Sequence, residues 1–513
     1  VLRDGAAAQY GSDAIAGVVN IILKQNAPAQ FSSTIGRVSS TVSQLNATVG
    51  QVRYNDGGVV QIDGTKSWAL GNNGFLNVSG EYRDRGLTNR SAPDLRAQYF
   101  NDDSIGRVAP ERLSLARNNA WYGDAALKEG GALYNAAFTF GNGVQLYSFG
   151  GMTRRQSTAF GFPRRPLERV VVRALYPNGF LPQIWGLSTD GSGAAGVKGV
   201  LVGWNWDVSG NYGGNRFRFD VKNSNNPTLG VASPTEFRNG SLQATQLTGN
   251  IDVSKALSVG LSAPLNVAFG LEARRDRYQI FEGEMASYQD GGVRVLDGPE
   301  IGQATVSGSQ LFYGFRPVDA RATDNARRRS NAAYLDLELS PFTRLTLGAA
   351  GRRESFSDFG DATIGKVTGR LDLGGGFAVR AAYNTGFRAP TLGQAFYRAT
   401  ASNVLIIGGV PTPTEALTLS VDEPAAHHVR VREQLQHDGR LVPDQCRGSH
   451  RAVGELHGCR CACGPRGERR DGRRHPTTIL HQCGRHAHDR CRCGRAISRG
   501  PRRDAAAQHD GWL

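Results

Sequence analysis

Over its first 426 residues the chain keeps returning to a two-residue period, and that period leaves few folds open. Leu76, Val78 and Tyr82 alternate with Asn77, Ser79, Glu81 and Arg83. Trp206, Val208 and Tyr212 alternate with Asp207, Ser209 and Asn211; Phe217, Phe219 and Val221 alternate with Arg216, Arg218, Asp220 and Lys222. Leu335, Leu337 and Leu339 flank Asp336 and Glu338, and Phe377, Val379, Ala381 and Tyr383 alternate with Arg380 and Asn384. Successive side chains of a strand point to opposite faces, so each segment has one apolar and one polar face. Gly/Asn/Asp clusters such as Gly141-Asn142-Gly143 and Gly213-Gly214-Asn215 fall between segments and read as turns. An all-β, antiparallel fold is predicted.

A soluble sandwich and a membrane barrel share this period and differ in which face meets the core. Two features favour the barrel. The polar faces carry full charges, with Arg216, Arg218, Asp220 and Lys222 in a row, as a water-filled lumen would allow. The connections alternate between tight and long: Gly141-Asn142-Gly143 is one tight link, whereas a long loop is expected between Arg155 and Trp204. Short turns on one side and long loops on the other characterise outer-membrane barrels. A spanning helix is excluded, because the best apolar run, Ala14 to Leu23, is about half the roughly 18 residues one requires.

Composition breaks at Ala426. All ten histidines and all seven cysteines lie beyond it, and there Lys, Tyr and Phe vanish. The 18 Arg and 9 acidic residues of that tail contribute +9 of the net charge of +15, leaving +6 for the body. The basic balance therefore says little about nucleic acid. A body without thiols suits an exported protein. Cys459, Cys461, Cys463, Cys491 and Cys493 with His457, His481, His486 and His488 invite a zinc or copper reading. The Cys-X-Cys spacing is unlike that of structural zinc sites, and no apolar pattern surrounds it. A frameshift in GC-rich coding DNA accounts for the same residues, since it yields Arg, Gly, Ala, Pro, His and Cys while depleting Lys, Phe and Tyr. Without aromatic stacking platforms, nucleic-acid binding by the tail would be no more than that of any basic disordered segment.

Residues 1–24 read as a turn, a short small-residue helix and an apolar strand, the end of a compact domain. Val1 opens without a charged or apolar leader, so the chain is expected to be a fragment whose beginning is missing. Here the chain resembles the TonB-dependent outer-membrane receptors, through Arg3, Asp4, Gly5, Tyr10-Gly11, Ala14-Ile15, Gly17-Val18-Val19-Asn20-Ile21 and Lys24, the pattern that closes the family's plug domain. Further matches follow in the family's order. They are Gly74 to Asn77 with Gly80 to Arg85, Tyr176 to Pro182, Ser233 to Phe237, Gly351 to Glu354 with Ser357 to Gly360, and the barrel signature Gly386-Phe387-Arg388-Ala389-Pro390.

The resemblance implies a 22-stranded antiparallel transmembrane β-barrel whose lumen is plugged, incomplete in this chain. It also implies energy-coupled import of a scarce nutrient (siderophore, vitamin, carbohydrate or similar), driven through the TonB complex in the outer membrane of a Gram-negative cell. The expected organisation is the C-terminal end of the plug in 1–24, a linker and barrel start in 25–58, a partial barrel in 59–426, and an out-of-frame, disordered tail in 427–513. On this reading the TonB box, most of the plug and the terminal aromatic strand are expected to be missing, and an unclosed barrel has two bare edges. The fragment is accordingly expected not to transport.

The resemblance assigns structural roles. Arg3 is expected against a barrel carboxylate, Glu81 or Glu272, or else at the surface beside Asp4. Arg154-Arg155, Arg164-Arg165 and Arg327-Arg328-Arg329 could meet an anionic ligand or lipopolysaccharide phosphates, and solvated charge is the simpler reading. Trp204 and Trp206, at a strand start, suit the interfacial belt; Trp185 could stack on a sugar. The body has no histidine or cysteine, hence no Ser/His/Asp or Cys/His set, and no enzyme, cofactor or metal is expected. The competing functions are a passive porin-like barrel and a basic metal- or nucleic-acid-binding protein acting through the tail.

Overall fold

The computed structural model describes residues 2–3, 8, 11, 17–26, 28–43, 51–100 and 108–401, together with short strands out to residue 432. The tail of 433–513, with most of its Cys/His set, lies outside the described residues, as do Asp4, Gly5 and Tyr10. Near the start, β1 (Leu2–Arg3) pairs with β2 (Gly17–Val18). The apolar strand expected there is only these two residues long. Val19, Ile21 and Ile22 continue beyond it exposed, since β1 offers just two residues to pair with.

Thirteen longer strands then pair in sequence order, each antiparallel to the next: β3 (Gln30–Ser43), β4 (Gln51–Leu70), β5 (Gly74–Arg85), β6 (Ala126–Thr139), β7 (Gln145–Phe160), β8 (Gln183–Leu201), β9 (Trp204–Lys222), β10 (Glu236–Leu257), β11 (Ala263–Phe281), β12 (Arg327–Phe342), β13 (Leu345–Phe356), β14 (Gly360–Gly374) and β15 (Phe377–Gly386). Beyond them β16 (Arg398–Ala401) pairs with β19 (Leu417–Ser420), and β17 (Val404–Ile407) with β18 (Val410–Pro413). The short β20 (Val431–Arg432) adds two residues to the end of β15. Within this sheet β3 and β15 do not pair with one another, so it is an open barrel wall.

The links alternate as expected. At one end are 71–73, 140–144, 202–203, 258–262, 343–344 and 375–376; at the other are 86–125, 161–182, 223–235 and 282–326, with one tight exception at 357–359. The two-residue link Val202-Gly203 has φ of 52° and 72°, the positive pair whose twist matches that of the sheet. The long loop expected between Arg155 and Trp204 is instead the 22-residue stretch 161–182 followed by β8. That strand is Gly/Ser/Ala-rich (Gly186, Gly191, Ser192, Gly193, Ala194, Ala195, Gly196), which hides its period.

Polarity is inverted relative to a soluble sheet. Asn77, Thr248, Arg328, Ser330, Arg352, Glu354 and Asn384 are buried on the inner face, while Val78, Tyr82, Val208, Leu271, Leu335 and Val367 are exposed on the outer one. The register carries this across strands: Ile251, Leu271 and Ala333 are in line on the outer face, as are Val253, Phe269 and Leu335.

Gly213-Gly214-Asn215 is not a turn, because β9 runs straight through it against both β8 and β10. Arg216, Arg218, Asp220 and Lys222 therefore share the outer face with Trp206, Val208 and Tyr212 and do not line the lumen. Phe217, Phe219 and Val221 occupy the inner parity, where Phe219 packs on Phe312 and Phe315 of the 282–326 loop. The pattern changes phase at the glycines because the surroundings change. Below them the outer face meets lipid and the inner face water; above them the outer face meets water and the inner face a packed loop.

Leu271→Arg, in the middle of the outer apolar band, is expected to lose about 2–4 kcal/mol of folding into a bilayer. Thr248→Ser on the inner face should lose far less. Urea titration of folding into phosphatidylcholine vesicles measures both; equal losses would contradict the assignment of faces.

Candidate functional site

The two segments that carry the resemblance meet on the inner wall. Ala8, from the plug-like start, is 2% exposed and buried against Ile364 of β14, with Ala350 and Phe387 beside it. Gly11 adopts φ +98°, and a Cβ there would lie 3.8 Å from Arg352 Nη2. Such a φ is open to glycine at no steric cost, so the chain can turn directly over the guanidinium.

Beneath Gly11 three inner-face charges are locked together. Arg352 donates from Nε to Glu354 Oε2 at 3.1 Å, and its Nη2 lies 3.2 Å from Glu272 Oε1. The register explains the geometry. Ala332 of β12 is paired with Glu272 on one side and with Glu354 on the other. Its methyl leaves the gap through which Arg352 reaches both carboxylates. Arg352 and Glu354 side chains are each only 2% exposed. Two carboxylates share one buried guanidinium, and Arg274 stands two residues from Glu272 on the same face.

Glu272, one of the two carboxylates expected as partners for Arg3, contacts Arg352 of the barrel wall. The Arg3 side chain lies outside the described residues, and Glu81 faces the lumen from β5. Gly17 is in β2, and Asn20 follows it, exposed.

The barrel signature forms a strap across the top of this wall. Gly386 ends β15; Phe387 stacks near Phe359 and Phe356, with centroids 5.3 and 5.9 Å away. Arg388 is exposed, and Ala389 is buried with Phe356 and Ala362. The Pro390 carbonyl accepts from Arg328 Nη1 at 2.7 Å, while Arg328 grips Asp358 through both Nε and Nη2. Thr391 then caps α1 (Leu392–Phe396), accepting from Gln394 N at 3.1 Å. The pleat splits the run Arg327-Arg328-Arg329: Arg328 turns inward and holds the strap, and its neighbours point outward. It splits Arg154-Arg155 likewise. Arg155 bonds Glu129 at 2.6 Å, and Glu129 also meets Arg83 at 3.5 Å. In the loop Arg165 pairs with Glu168 at 2.9 Å, whereas Arg164 bonds its neighbour Phe162 O.

The long loops are packed against one another. Asn226 donates to Ala286 O and Gln289 O, both at 2.9 Å, and Asn239 to Ser309 Oγ at 2.7 Å and Phe312 O at 2.6 Å. Tyr176 packs on Phe180, with centroids 4.6 Å apart, and donates to Ser224 O at 3.1 Å. Burial pushes its phenol up to about 12. A raised phenol favours the neutral folded form, so its contribution is complete below pH 10 and fades as pH climbs towards 12. Trp185, at the loop end of β8, lies under Lys222 and Arg218, each 5.3 Å from its ring, and so is engaged by cations on the outer face.

In the sequence Gly351 to Glu354 reads only as a strand, which does not mark Arg352 and Glu354 as buried. The visible signal was two charges of opposite sign, two residues apart on the polar parity. Arg352→Ala is expected to leave the buried Glu354 without its cation and to destabilise the wall by about 3–5 kcal/mol. The double change Arg352→Met with Glu354→Leu should cost much less, as urea unfolding of the reconstituted chain would show.

Residues 175–419 match the family model described as TonB dependent receptor-like, beta-barrel. A search of curated proteins gave no match. Among solved structures, a variant of the ferric enterobactin receptor PfeA from Pseudomonas aeruginosa is similar with a TM-score of 0.51 at 14% identity, over 82% of this chain and 52% of that one. The siderophore receptor PirA from Acinetobacter baumannii gives a TM-score of 0.49 at 15% identity, over 80% and 51%, and PirA from Pseudomonas aeruginosa gives 0.47 at 14%, over 83% and 55%. The chain spans about half the length of these structures. At such identities the likeness shows the fold.

Proposed function

We propose that this chain, whose residues 175–419 match the model of the TonB dependent receptor-like β-barrel, is a Gram-negative outer-membrane receptor for energy-coupled uptake of a scarce nutrient. The ligand class is a siderophore, vitamin, carbohydrate or similar compound. The carrying observation is the seating of Ala8 and Gly11 on the inner wall, beside Arg352 and under the Phe387 strap. A passive barrel does not need an N-terminal segment seated against its inner wall. In this reading residues 1–24 are the end of a plug, the barrel follows, and TonB acts on the plug from the periplasm. Arg3, Asp4, Gly5, Tyr10, Gly11, Gly17 and Asn20 shape the plug end, and Gly386 to Pro390 anchor the loop above it. The resemblance to siderophore receptors makes ferric siderophores the first ligands to try.

Cells carrying the complete reading frame should accumulate one of a panel of labelled ferric siderophores, vitamins and oligosaccharides. Uptake should stop with a protonophore and with loss of TonB. Uptake that survives both, or passive sugar diffusion through proteoliposomes, would establish the porin reading instead.

The tail is proposed to be out of frame. Resequencing the DNA from about codon 380 onward should reveal alternating aromatic strands in another frame. Peptides from 427–513 found by mass spectrometry, with stoichiometric zinc bound, would revive the metal-binding alternative.

A further inference from the structure

The outer face above the apolar band is basic, and most of its charges are occupied. Arg218 meets Asp220 at 3.0 Å, Lys222 meets Glu236 at 3.3 Å, Arg353 meets Asp361 at 2.8 Å, and Arg216 lies over the Phe281 ring at 4.5 Å. Four arginines on β11 and β12 differ in standing directly opposite one another. Arg275 is paired in register with Arg329, and Arg277 with Arg327, across β11 and β12. All four are exposed, and none of their side chains has an ion pair or hydrogen bond among the described residues.

Side chains directly opposite in a sheet have Cβ atoms about 4.5–5.5 Å apart, and like charges there are destabilising. Two such pairs, stacked about 7 Å apart along the strands, put four guanidinium groups on one small rectangle. The outer-face neighbours supply no acid: Thr245 is opposite Arg277 and Leu247 opposite Arg275 on β10, and Ser355 is opposite Asn331 on β13. A sheet that merely needed solubility at this level would intersperse signs, as β9 and β13 do.

The position along the strands identifies what balances the charge. Toward the membrane, β11 continues on the same face through Ala273 to Leu271 and Phe269, and β12 through Asn331 and Ala333 to Leu335 and Leu337. Tyr212, Leu247, Arg275 and Arg329 are in one register row, so an aromatic of interfacial type shares the level of the lower arginine pair. A ligand lying here has acyl chains against leucine and its headgroup against arginine. Guanidinium forks match phosphate oxygens two at a time, and two phosphates would satisfy two opposed pairs.

We propose that Arg275, Arg277, Arg327 and Arg329 form a binding site for the phosphorylated headgroup of an outer-leaflet glycolipid. The site rests on the outer-membrane reading of the barrel and adds a specific lipid partner to it.

The test uses the full chain folded into phosphatidylcholine vesicles, extracted in mild detergent, and offered bisphosphorylated lipid A, its dephosphorylated form, or inorganic pyrophosphate, with retention read by native mass spectrometry. Bisphosphorylated lipid A should be retained. Arg275→Gln with Arg329→Gln should weaken retention by about tenfold or more, the scale expected for two arginines at an anionic surface, while Arg353→Gln changes nothing. The same double variant should unfold at a higher temperature without lipid, because a repulsion has been removed. If it fails to fold, Arg275→Lys with Arg329→Lys keeps the charge but loses the fork and should still weaken retention. Equal retention of the dephosphorylated lipid, an unaffected double variant, or pyrophosphate held as tightly as the lipid would each overturn the site. A folded chain that ignores lipid A overturns only this proposal; a chain that does not fold into vesicles overturns the barrel reading and the site with it.

Discussion

Backbone amides inside a hydrocarbon layer have no water to bond, and everything else in this structure depends on how they are satisfied. A segment that crosses as a strand must find its partners on both neighbours. The meander from β3 to β15 does so by pairing each strand with the one before and after it in the chain. Sequence neighbours are the cheapest partners, since a short link closes the pair at little entropic cost. Once that ladder is set, the pleat dictates which side chains see lipid and which see the lumen. The long links collect at one end of the sheet and most of the tight turns at the other.

The fold class was legible because the period of two survives wherever side chains are large. Trp206, Val208 and Tyr212 on β9, and Leu335, Leu337 and Leu339 on β12, mark the outer face without any structure. It failed where the chemistry of the surroundings changes along a strand. At Gly213-Gly214 the apolar parity switches from outer to inner, and a change of phase reads in sequence like a turn. It failed again on β8, where glycine and alanine carry too little hydrophobic contrast to show a period.

The inner wall was less legible, for a different reason. Arg352, Glu354 and Glu272 come from two strands some 80 residues apart, and only the register of β11, β12 and β13 brings them together around Ala332. A resemblance locates such residues within motifs, yet it does not say that the wall pairs its own charges. Glu272, named beside Glu81 as a possible partner of Arg3, already contacts Arg352. Whatever occupies the lumen must then compete with, or add to, an ion pair already made. Desolvation makes that cluster costly to leave half-satisfied.

Runs of arginine show how one local rule sorts identical residues into different work. In Arg327-Arg328-Arg329 the central side chain turns inward, clamps Asp358 and the Pro390 carbonyl, and fixes the strap over the lumen. Its two neighbours turn outward and meet Arg277 and Arg275, with no ion pair among the described residues. Composition sees three equivalent cations, and charge counting would assign them all to solvent. The pleat makes one a structural tie and leaves the other two as half of an unpaired anion site at the height of the membrane surface. The same strand therefore couples the inner strap and the outer lipid level through a single backbone segment.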